Sequence, residues 1–279
     1  MIQIRDQLNR EVVLEHYPSR IISLVPSLTE LLVDLGLADK IVGRTKFCIH
    51  PAPVVKSITR VGGTKTLDIE EIERIRPDLI IVSKEENVKE QIDRLAQKFT
   101  IYVSDINSVE TALEAIHQIA GLTDTAEQAV RLCGDISNSL SALRTGLGRI
   151  GQIPVAYLIW NEPFMTVGGD TFIHNMLVAA GFDNVFGKRF RYPEISLNEI
   201  FEAGPKYLFM SSEPYPFSEK HIQQYKAMLS DFGIIPIIID GEMFSWYGSR
   251  MIKAAVYFSK LRHFITSNTI PPDSVILYT

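Results

Sequence analysis

The sequence predicts an α/β protein made of two lobes, each built on a parallel β-sheet, with one long helix between them. Short, wholly apolar strands alternate with amphipathic helices, as in parallel sheets that are covered on both faces. One uninterrupted stretch after residue 123 keeps helical periodicity through its whole length. A pattern near residue 70 returns near residue 200, and the 279 residues exceed the usual size of a single domain.

The first lobe begins with a hairpin and continues as strand–helix units. Alternating apolar and polar residues in IQIRDQLNREVVLE predict two short antiparallel strands. The apolar run RIISLV leads into PSLTELLVDLGL, whose leucines recur at helical spacing, and Gly36 follows at a C-cap position. The alternation continues with the predicted strands KIVG, DLIIVS and TIYVS, which are separated by the predicted helices DIEEIERI and NVKEQIDRLAQKF.

The bridging helix is predicted from Asp124 to about Leu147, with Thr123 or Asp124 as its N-cap. Such a helix would be close to 36 Å long, at about 1.5 Å per residue. Strand–helix alternation then resumes with IPVAYLI, TFIHNMLVAAGF, YLFMS, IIPIIID and GSRMIKAAVYFSKLRHFI. The predicted domains are residues 1–122 with the leading hairpin, the bridging helix 123–148, and residues 149–279.

An internal repeat indicates that the two lobes are related. Residues 67–85 align with residues 195–213 at a constant offset of 128. In both copies a short helix ends before a proline, which cannot continue it, and a buried strand follows. The alignment pairs Ser83 with Ser211 and Glu85 with Glu213, two residues beyond the ends of equivalent strands.

The composition of the chain argues against several classes of protein and site. The apolar fraction is 46%, the charged fraction 22%, and the net charge of −5 argues against a general nucleic-acid binder. No stretch of 18 apolar residues predicts a membrane span, and the first 20 residues lack the apolar core of a signal peptide. Cys48 and Cys133 have no spacing typical of a metal site and are expected to be separate buried thiols.

Catalytic motifs are missing from the sequence. GxSxG, HExxH, GxxxxGK[ST] and GxGxxG are all absent, and the six histidines never share a helical turn. A metal held directly by protein side chains is therefore not expected. A binding role is favoured over catalysis.

Aromatic residues follow the predicted strands, where open α/β sheets bind their ligands. The stretch WNEPFMTVGGD, residues 160–170, combines them with a Gly-Gly turn. A concave apolar pocket is the preferred interpretation, and a satellite core that seals the sheet edges is the alternative. Arg250 could face this pocket or form a surface ion pair. The candidate ligand-binding residues are Phe47, Trp160, Phe164, Met165, Phe244, Trp246, Tyr247 and Arg250.

Glu85 and Glu213 form a second candidate site. Matching carboxylates on two related lobes could meet two arginines of a two-fold partner, because Arg–carboxylate pairs are bidentate and directional. Alternatively, each is a solvated acid at a helix N-terminus.

RIISLVPSLTELLVDLGLADKIVG, IRPDLIIVS, the long helix and TVGGDTFIHNMLVAAGFDNVF resemble the class III periplasmic binding proteins. These helical-backbone metal receptors serve ABC importers for vitamin B12 and ferric siderophores. The resemblance covers about residues 2–265 and implies two lobes, a rigid bridging helix and a ligand cleft between the lobes. It also implies that Glu85 and Glu213 dock onto arginines of a permease dimer, with Glu86 as a competitor in the first lobe.

The expected function is therefore capture of a metal chelate, either cobalamin or a ferric siderophore, and its delivery to an ABC permease. No catalysis and no intrinsic cofactor are expected, and the free protein is expected to be a monomer. The resemblance implies a periplasmic or cell-surface location. A cytoplasmic protein or enzyme that handles a metal-containing cofactor on the same scaffold is the alternative. The Gly-Gly turn is expected to let backbone approach the chelate closely.

Overall fold

The computed structural model describes residues 1–148 and 151–267, and the backbone of residues 276–277. The chain divides into two compact units. Unit 1 comprises Met1–Ile136 and Trp246–Arg250, whereas unit 2 comprises Ser137–Ser245 and Met251–Thr279. The segment 246–250 therefore belongs to unit 1, although the sequence analysis assigned it to the C-terminal lobe.

Unit 1 opens with the predicted hairpin, in which β1 (Ile2–Arg5) pairs antiparallel with β2 (Glu11–Leu14). Asp6 stabilises the turn because its Oδ1 accepts hydrogen bonds from the backbone N–H groups of Leu8 and Arg10. The Asp6 carboxylate also pairs with the Arg10 guanidinium at 2.8 Å. The hairpin prediction is confirmed.

The sheet of unit 1 contains only parallel strands. Its strands are β3 (Ile21–Ser23), β4 (Ile41–Arg44), β5 (Thr59–Arg60), β6 (Leu79–Ser83) and β7 (Ile101–Ser104). Their spatial order is β5-β4-β3-β6-β7. Every residue of β3 and β6 is buried, which explains why both strands are apolar up to their terminal serines.

Apart from one short 3₁₀ helix, Ala38–Lys40, five helices connect these strands or follow them. They are α1 (Pro26–Asp34), α2 (Ala52–Val55), α3 (Ile69–Ile75), α4 (Lys89–Ala96) and α5 (Val109–Thr123). A proline occupies the first turn of α1, where a missing N–H costs nothing. Gly36 follows α1 with a φ of +85°, so the predicted C-cap glycine is confirmed.

The long helix α6 spans Ala126–Leu147, 22 residues in all. It begins slightly later than expected because Asp124 adopts a left-handed φ of +60° and ends α5. Asp124 is thus the C-cap of the preceding helix and not the N-cap of α6. The division between the two units falls inside α6.

Unit 2 also has a five-stranded parallel sheet. Its strands are β8 (Ile153–Leu158), β10 (Phe182–Asn184), β12 (Tyr207–Ser211), β13 (Ile235–Ile239) and β14 (Ile276–Leu277). Their order is β10-β8-β12-β13-β14. A separate antiparallel pair joins β9 (Phe164–Met165) to β11 (Glu194–Ile195). The helices are α7 (Phe172–Ala179), α8 (Leu197–Ala203), α9 (Glu219–Ser230), α10 (Glu242–Ser245) and α11 (Arg250–Thr266).

The internal repeat is confirmed residue by residue. Helices α3 and α8 have seven residues each, strands β6 and β12 have five, and both pairs start 128 positions apart. Arg76 and Gly204 end the two helices in the same left-handed conformation, with φ values of 53° and 58°. The repeat therefore places Ser83 and Ser211 at equivalent strand ends.

Side-chain chemistry agrees with the expectations for cysteine. Cys48 and Cys133 are both buried and are separate thiols. The Cys48 thiol lies 3.0 Å from the Thr29 hydroxyl, and burial raises its pKa. Among the described helices, none is both long and apolar enough to cross a bilayer.

Candidate functional site

Each parallel sheet has a topological switch point, which is the place between two neighbouring strands where the strand order reverses. In unit 1 it lies between β3 and β6, and in unit 2 between β8 and β12. Ligands of open α/β sheets bind outside the carboxyl ends of the strands at such points. Residues 84–88 follow β6, whereas residues 159–163 and 212–218 follow β8 and β12. Glu85, Trp160 and Glu213 therefore lie at the switch points.

The edge of unit 2 presents an aromatic surface. Trp160 is 40% exposed and packs edge-on against Tyr215, with ring centroids 5.5 Å apart. Phe164 and Met165 are half-buried in β9, and Phe164 packs edge-on against Tyr225 at 5.3 Å. The Met165 N–H donates to the Trp160 carbonyl at 3.2 Å, which fixes the loop. The structure thus brings together three of the predicted residues.

The Gly168–Gly169 turn packs closely against a neighbouring loop, which the sequence analysis did not expect. A Cβ on Gly168 would lie 2.4 Å from the Arg189 carbonyl oxygen, and one on Gly169 would lie 2.2 Å from the Gly187 carbonyl oxygen. Both glycine N–H groups donate at 2.8 Å to carbonyls of the same loop. The glycines therefore allow close approach of residues 187–191, and the expected approach of a ligand to this turn stays a prediction.

Phe244 lies in the interior of unit 2. Its side chain has 0% exposure, and its ring packs against Phe258 at 4.6 Å and Tyr157 at 5.5 Å. Because the side chain is fully enclosed, Phe244 contributes to the core and has no surface to offer a ligand in this conformation. The pattern of aromatics after strands did not separate this buried residue from the exposed Trp160.

Trp246 and Arg250 attach the segment 246–250 to the rest of unit 1. The Arg250 Nε donates to Glu30 Oε2 at 2.7 Å, and both side chains are almost completely buried. The guanidinium lies over the Trp246 ring at 4.7 Å, and the His50 ring meets that ring at 5.4 Å. Trp246 is only 6% exposed. Neither the pocket-facing position nor the surface ion pair expected for Arg250 is observed.

Tyr247 is buried in the same segment. Its hydroxyl donates to Glu86 Oε1 at 3.1 Å. Burial raises the pKa of the Tyr247 phenol well above its ordinary value, and the nearby Glu86 carboxylate adds to the shift. Tyr247 is therefore a neutral donor that holds the carboxylate next to the predicted docking residue.

Among the candidate ligand-binding residues in unit 1, Phe47 is the one with an exposed aromatic ring. It is 49% exposed, and the Lys46 ammonium lies 5.0 Å from its ring centroid. Phe47 follows β4, so it lies on the carboxyl side of that sheet. Its position agrees with the sequence analysis.

Glu85 and Glu213 have matching backbone environments. The Ser83 hydroxyl accepts a hydrogen bond from the Glu85 N–H at 3.1 Å, and the Ser211 hydroxyl accepts one from the Glu213 N–H at 3.4 Å. A side-chain hydroxyl also bonds the Glu213 carboxylate. Glu213 Oε1 accepts a hydrogen bond from Ser245 at 2.6 Å, whereas the tyrosine bond described above goes to Glu86.

Sequence reasoning missed a polar cluster beside Trp160. It comprises Asn161, Tyr215, His221 and Tyr225, which hydrogen-bond to one another through their side chains. Tyr215 follows strand β12 by four residues, so the rule that selected Trp160 could also have selected it. His221 and Tyr225 lie on α9, which the sequence analysis did not identify.

Other features do not mark a site at these edges. A cavity of about 690 Å³ opens in unit 1, but it is lined by the starts of strands, including Arg20, Ile41 and Thr59. That edge is opposite to the one where such sheets bind ligands. Within residues 1–148 and 151–267, no group of three or more metal-ligating side chains comes together.

Comparisons with known proteins agree with this geometry. The family model described as "Periplasmic binding protein" matches residues 21–232. The vitamin B12-binding protein of Vibrio vulnificus is 28% identical over 194 residues, which cover 69% of this chain and 71% of that protein. The crystal structure of the periplasmic vitamin B12-binding protein of Vibrio cholerae has a TM-score of 0.75 at 22% identity, covering 90% and 99% of the two chains.

A periplasmic haem-binding protein from Pseudomonas aeruginosa has a similar fold, with a TM-score of 0.76 at 18% identity over 88% of this chain and 92% of that one. The match to the family model, together with the two α/β units, identifies the chain as a substrate-binding protein. The chain belongs to the periplasmic binding protein family, in the class III type that provides the substrate-binding component of ABC importers. This is a family of binding proteins and not an enzyme family.

Proposed function

We propose that this protein captures a metal chelate, a corrinoid or a ferric chelate, and delivers it to an ABC permease. The observation that carries the proposal is Trp160, whose large apolar ring is exposed at the switch point of unit 2. The similarity to vitamin B12-binding proteins supports a corrinoid as the ligand. Because the fold is also similar to that of a haem-binding protein, iron chelates are included among the ligands to be tested.

Apolar stacking supplies the binding energy in this proposal. Burial of the exposed part of an aromatic ring contributes roughly 25 cal/mol per Å² of apolar surface, and aromatic contact adds about 0.5–1.5 kcal/mol. Phe47, Phe164 and Met165 are further candidate contacts because they are at least partly exposed on carboxyl edges. Metal ligation by the protein is not required, since the chelate carries its own donor atoms.

Replacement of Trp160 tests the binding role. We expect Trp160→Ala to weaken binding of the preferred chelate about tenfold, which corresponds to roughly 1.4 kcal/mol. Calorimetric titration with cyanocobalamin, haemin, a ferric hydroxamate and a ferric catecholate measures this loss. Phe232→Ala is a matched control, because Phe232 is 58% exposed and precedes β13 at the opposite edge of the same sheet. Equal affinity of Trp160→Ala and the wild type would remove Trp160 from the binding surface.

Delivery is proposed to depend on Glu85 and Glu213 as the acids that meet permease arginines. Their equivalent positions in the repeat and their matching serine hydrogen bonds support this pairing. Glu86 competes with Glu85, but its carboxylate already accepts the Tyr247 hydroxyl. Bidentate pairing with arginine would be directional and would orient the protein on a two-fold partner.

An uptake assay separates delivery from binding. We expect Glu85→Gln combined with Glu213→Gln to reduce chelate uptake in cells that carry the cognate permease, with chelate affinity unchanged. Glu86→Gln reports on the competing residue, and Glu202→Gln, at an exposed position of α8, serves as the control. Normal uptake by the double variant would refute the docking role.

The location is proposed to be periplasmic or on the cell surface, as the family name implies. The free receptor is proposed to be a monomer, because delivery requires both acids to be accessible. Sedimentation of the purified protein tests the oligomeric state, and fractionation of the source cells tests the location.

A further inference from the structure

A chain of hydrogen-bonded side chains lies behind Trp160 in unit 2. Gln224 Nε2 donates to the Tyr225 hydroxyl at 3.2 Å, and that hydroxyl donates to Asn161 Oδ1 at 2.9 Å. Asn161 Nδ2 in turn faces the Tyr215 oxygen at 3.5 Å. Asn161 is 8% exposed, so its amide is fixed between the two phenols. The chain therefore ends with an amide donor directed at Tyr215.

His221 directs a second donor at the same oxygen. The Ser218 backbone N–H donates to His221 Nδ1 at 2.9 Å, so this nitrogen carries no proton. A neutral imidazole then has its proton on Nε2, which lies 3.0 Å from the Tyr215 oxygen. His221 is 3% exposed, and desolvation lowers its pKa, which favours the neutral form.

The Tyr215 ring is held by neighbouring rings. It packs edge-on against Phe217 at 4.7 Å and His221 at 5.4 Å, in addition to its contact with Trp160. Because its oxygen accepts from two donors, its own proton is the remaining hydrogen-bonding group. Among the described residues, no other group accepts that proton. The phenol is therefore a preorganised donor beside an exposed aromatic ring.

We propose that Tyr215 is a specificity-determining residue that donates a hydrogen bond to a peripheral oxygen of the ligand stacked on Trp160. His221 and Asn161 are positioning residues that orient the phenol through its oxygen. The acceptor is an amide, carboxylate or chelating oxygen at the rim of the ligand. The inference rests on the proposed binding function and assigns a polar contact to it.

The proposal requires a chelate with an acceptor oxygen near the face that meets Trp160. Stacking on Trp160 tolerates any broad apolar face, whereas a fixed phenol donor selects for an oxygen at one point of the rim. A ligand without that oxygen would bury the Tyr215 hydroxyl with no acceptor, and an unsatisfied buried polar group opposes binding. Tyr215 thus adds selectivity to a surface that would otherwise be permissive.

Tyr215→Phe is the direct test, because it removes only the hydroxyl. The probe is whichever of cyanocobalamin, haemin, the ferric hydroxamate and the ferric catecholate binds the wild type. We expect affinity to fall about 3- to 10-fold, the range for one hydrogen bond. Tyr17→Phe is the matched control, because Tyr17 is 44% exposed and lies in unit 1. Its affinity should equal that of the wild type.

His221→Phe, alone and with Tyr215→Phe, tests the positioning role. If His221 acts through Tyr215, the double variant binds no more weakly than Tyr215→Phe, because the two losses are not additive. A purely structural effect of His221 would add to the loss.

The pH profile gives a second readout. Protonation of His221 would put a proton on Nδ1 and break the bond from Ser218. Affinity of the wild type should therefore fall as pH drops below the ordinary histidine value of 6.5, whereas Tyr215→Phe should not share this loss. Lys220 and Glu162 act on His221 with opposite signs, and burial raises the pKa of the Tyr225 phenol, so that phenol remains neutral over this range.

The outcomes separate this inference from the proposed function. Unchanged affinity of Tyr215→Phe for a chelate that the wild type binds would overturn the role of Tyr215 and leave the binding function intact. Binding of none of the chelates by the wild type would overturn both. A loss confined to Tyr215→Phe and His221→Phe, and not shared by Tyr17→Phe, supports the proposal.

Discussion

Arg250→Met should destabilise the protein without a ligand being present. The substitution keeps most of the apolar stem but leaves the Glu30 carboxylate, whose side chain is only 5% exposed, without its guanidinium partner at 2.7 Å. Removing one member of a buried ion pair costs about 3–5 kcal/mol. Loss of the contact with the Trp246 ring, where the guanidinium lies 4.7 Å from the centroid, adds to the effect.

Thermal unfolding followed by circular dichroism measures this cost. At about 2 °C per kcal/mol for a chain of this size, the expected decrease in Tm is roughly 6–10 °C. The variant that combines Arg250→Met with Glu30→Gln provides the matched comparison, because it removes both charges. It should recover a large part of the lost stability, since an uncompensated buried charge causes most of the penalty.

Two results would refute this reasoning. A Tm within about 2 °C of the wild type, which corresponds to less than about 1 kcal/mol, would show that the ion pair contributes little. A normal Tm together with weaker chelate binding would restore Arg250 to the ligand-binding residues. The structure predicts the opposite pattern, in which stability falls first and affinity changes only through the fold.

Further predictions concern pH, a glycine contact and a serine–carboxylate bond. Burial lowers the pKa of both His174 and His221, so the unfolded chain binds more protons than the folded one below the ordinary value of 6.5. The contribution of these two neutral histidines to stability is therefore fully present above pH 6.5, and it should decrease as pH falls through that value towards their folded pKa values. Urea unfolding at several pH values measures this trend, and a flat profile in this range would contradict it. Gly169→Ala should lower the free energy of unfolding in urea by about 1–3 kcal/mol, because its Cβ would meet a carbonyl oxygen at 2.2 Å. Gly134→Ala is the control: its Cβ would have open space around it, so this variant should not destabilise the protein. Ser245→Ala should lower Tm by a few degrees, because Glu213 loses a hydrogen bond of 2.6 Å, and an unchanged Tm would show that the bond carries no stability.

The sequence was most informative where burial is uniform. Strands β6 and β12 are buried along their whole length, so their apolar runs could be recognised without knowledge of their partners. The offset of 128 is visible in the sequence alone, and it assigns the strand ends, the preceding helices and the two following acids to equivalent positions. These features depend on local pattern, which a sequence displays directly.

Other elements were not predicted. Helix α5 buries Ile116, Ile119 and Leu122 at helical spacing, so its pattern was present in the sequence but was not recognised. Its separation from α6 depends on a left-handed Asp124, where neither glycine nor proline marks the break. The short antiparallel pair of β9 and β11 was also missed, because two-residue strands are too short to show a period.

The candidate site shows the same limit. Glu30 and Arg250 are 220 positions apart, so no local pattern predicts their ion pair. Aromatic residues after strands were identified correctly as a class, but exposure separates Trp160 from Phe244, and exposure depends on tertiary packing. The resemblance to a known family predicted the fold, whereas the local chemistry around Tyr215 required the structure.

The most direct test of the account is intrinsic tryptophan fluorescence during titration with cyanocobalamin, then haemin and ferric chelates. The chain has two tryptophans, of which Trp160 is exposed at a switch point and Trp246 is buried against Arg250. Titrations of Trp160→Phe and Trp246→Phe assign the signal to one ring. We predict saturable quenching by one chelate class at micromolar or lower concentration, retained in Trp246→Phe and strongly reduced in Trp160→Phe. Absence of quenching by every chelate, confirmed by calorimetry, would contradict the proposal that this protein is a metal-chelate receptor.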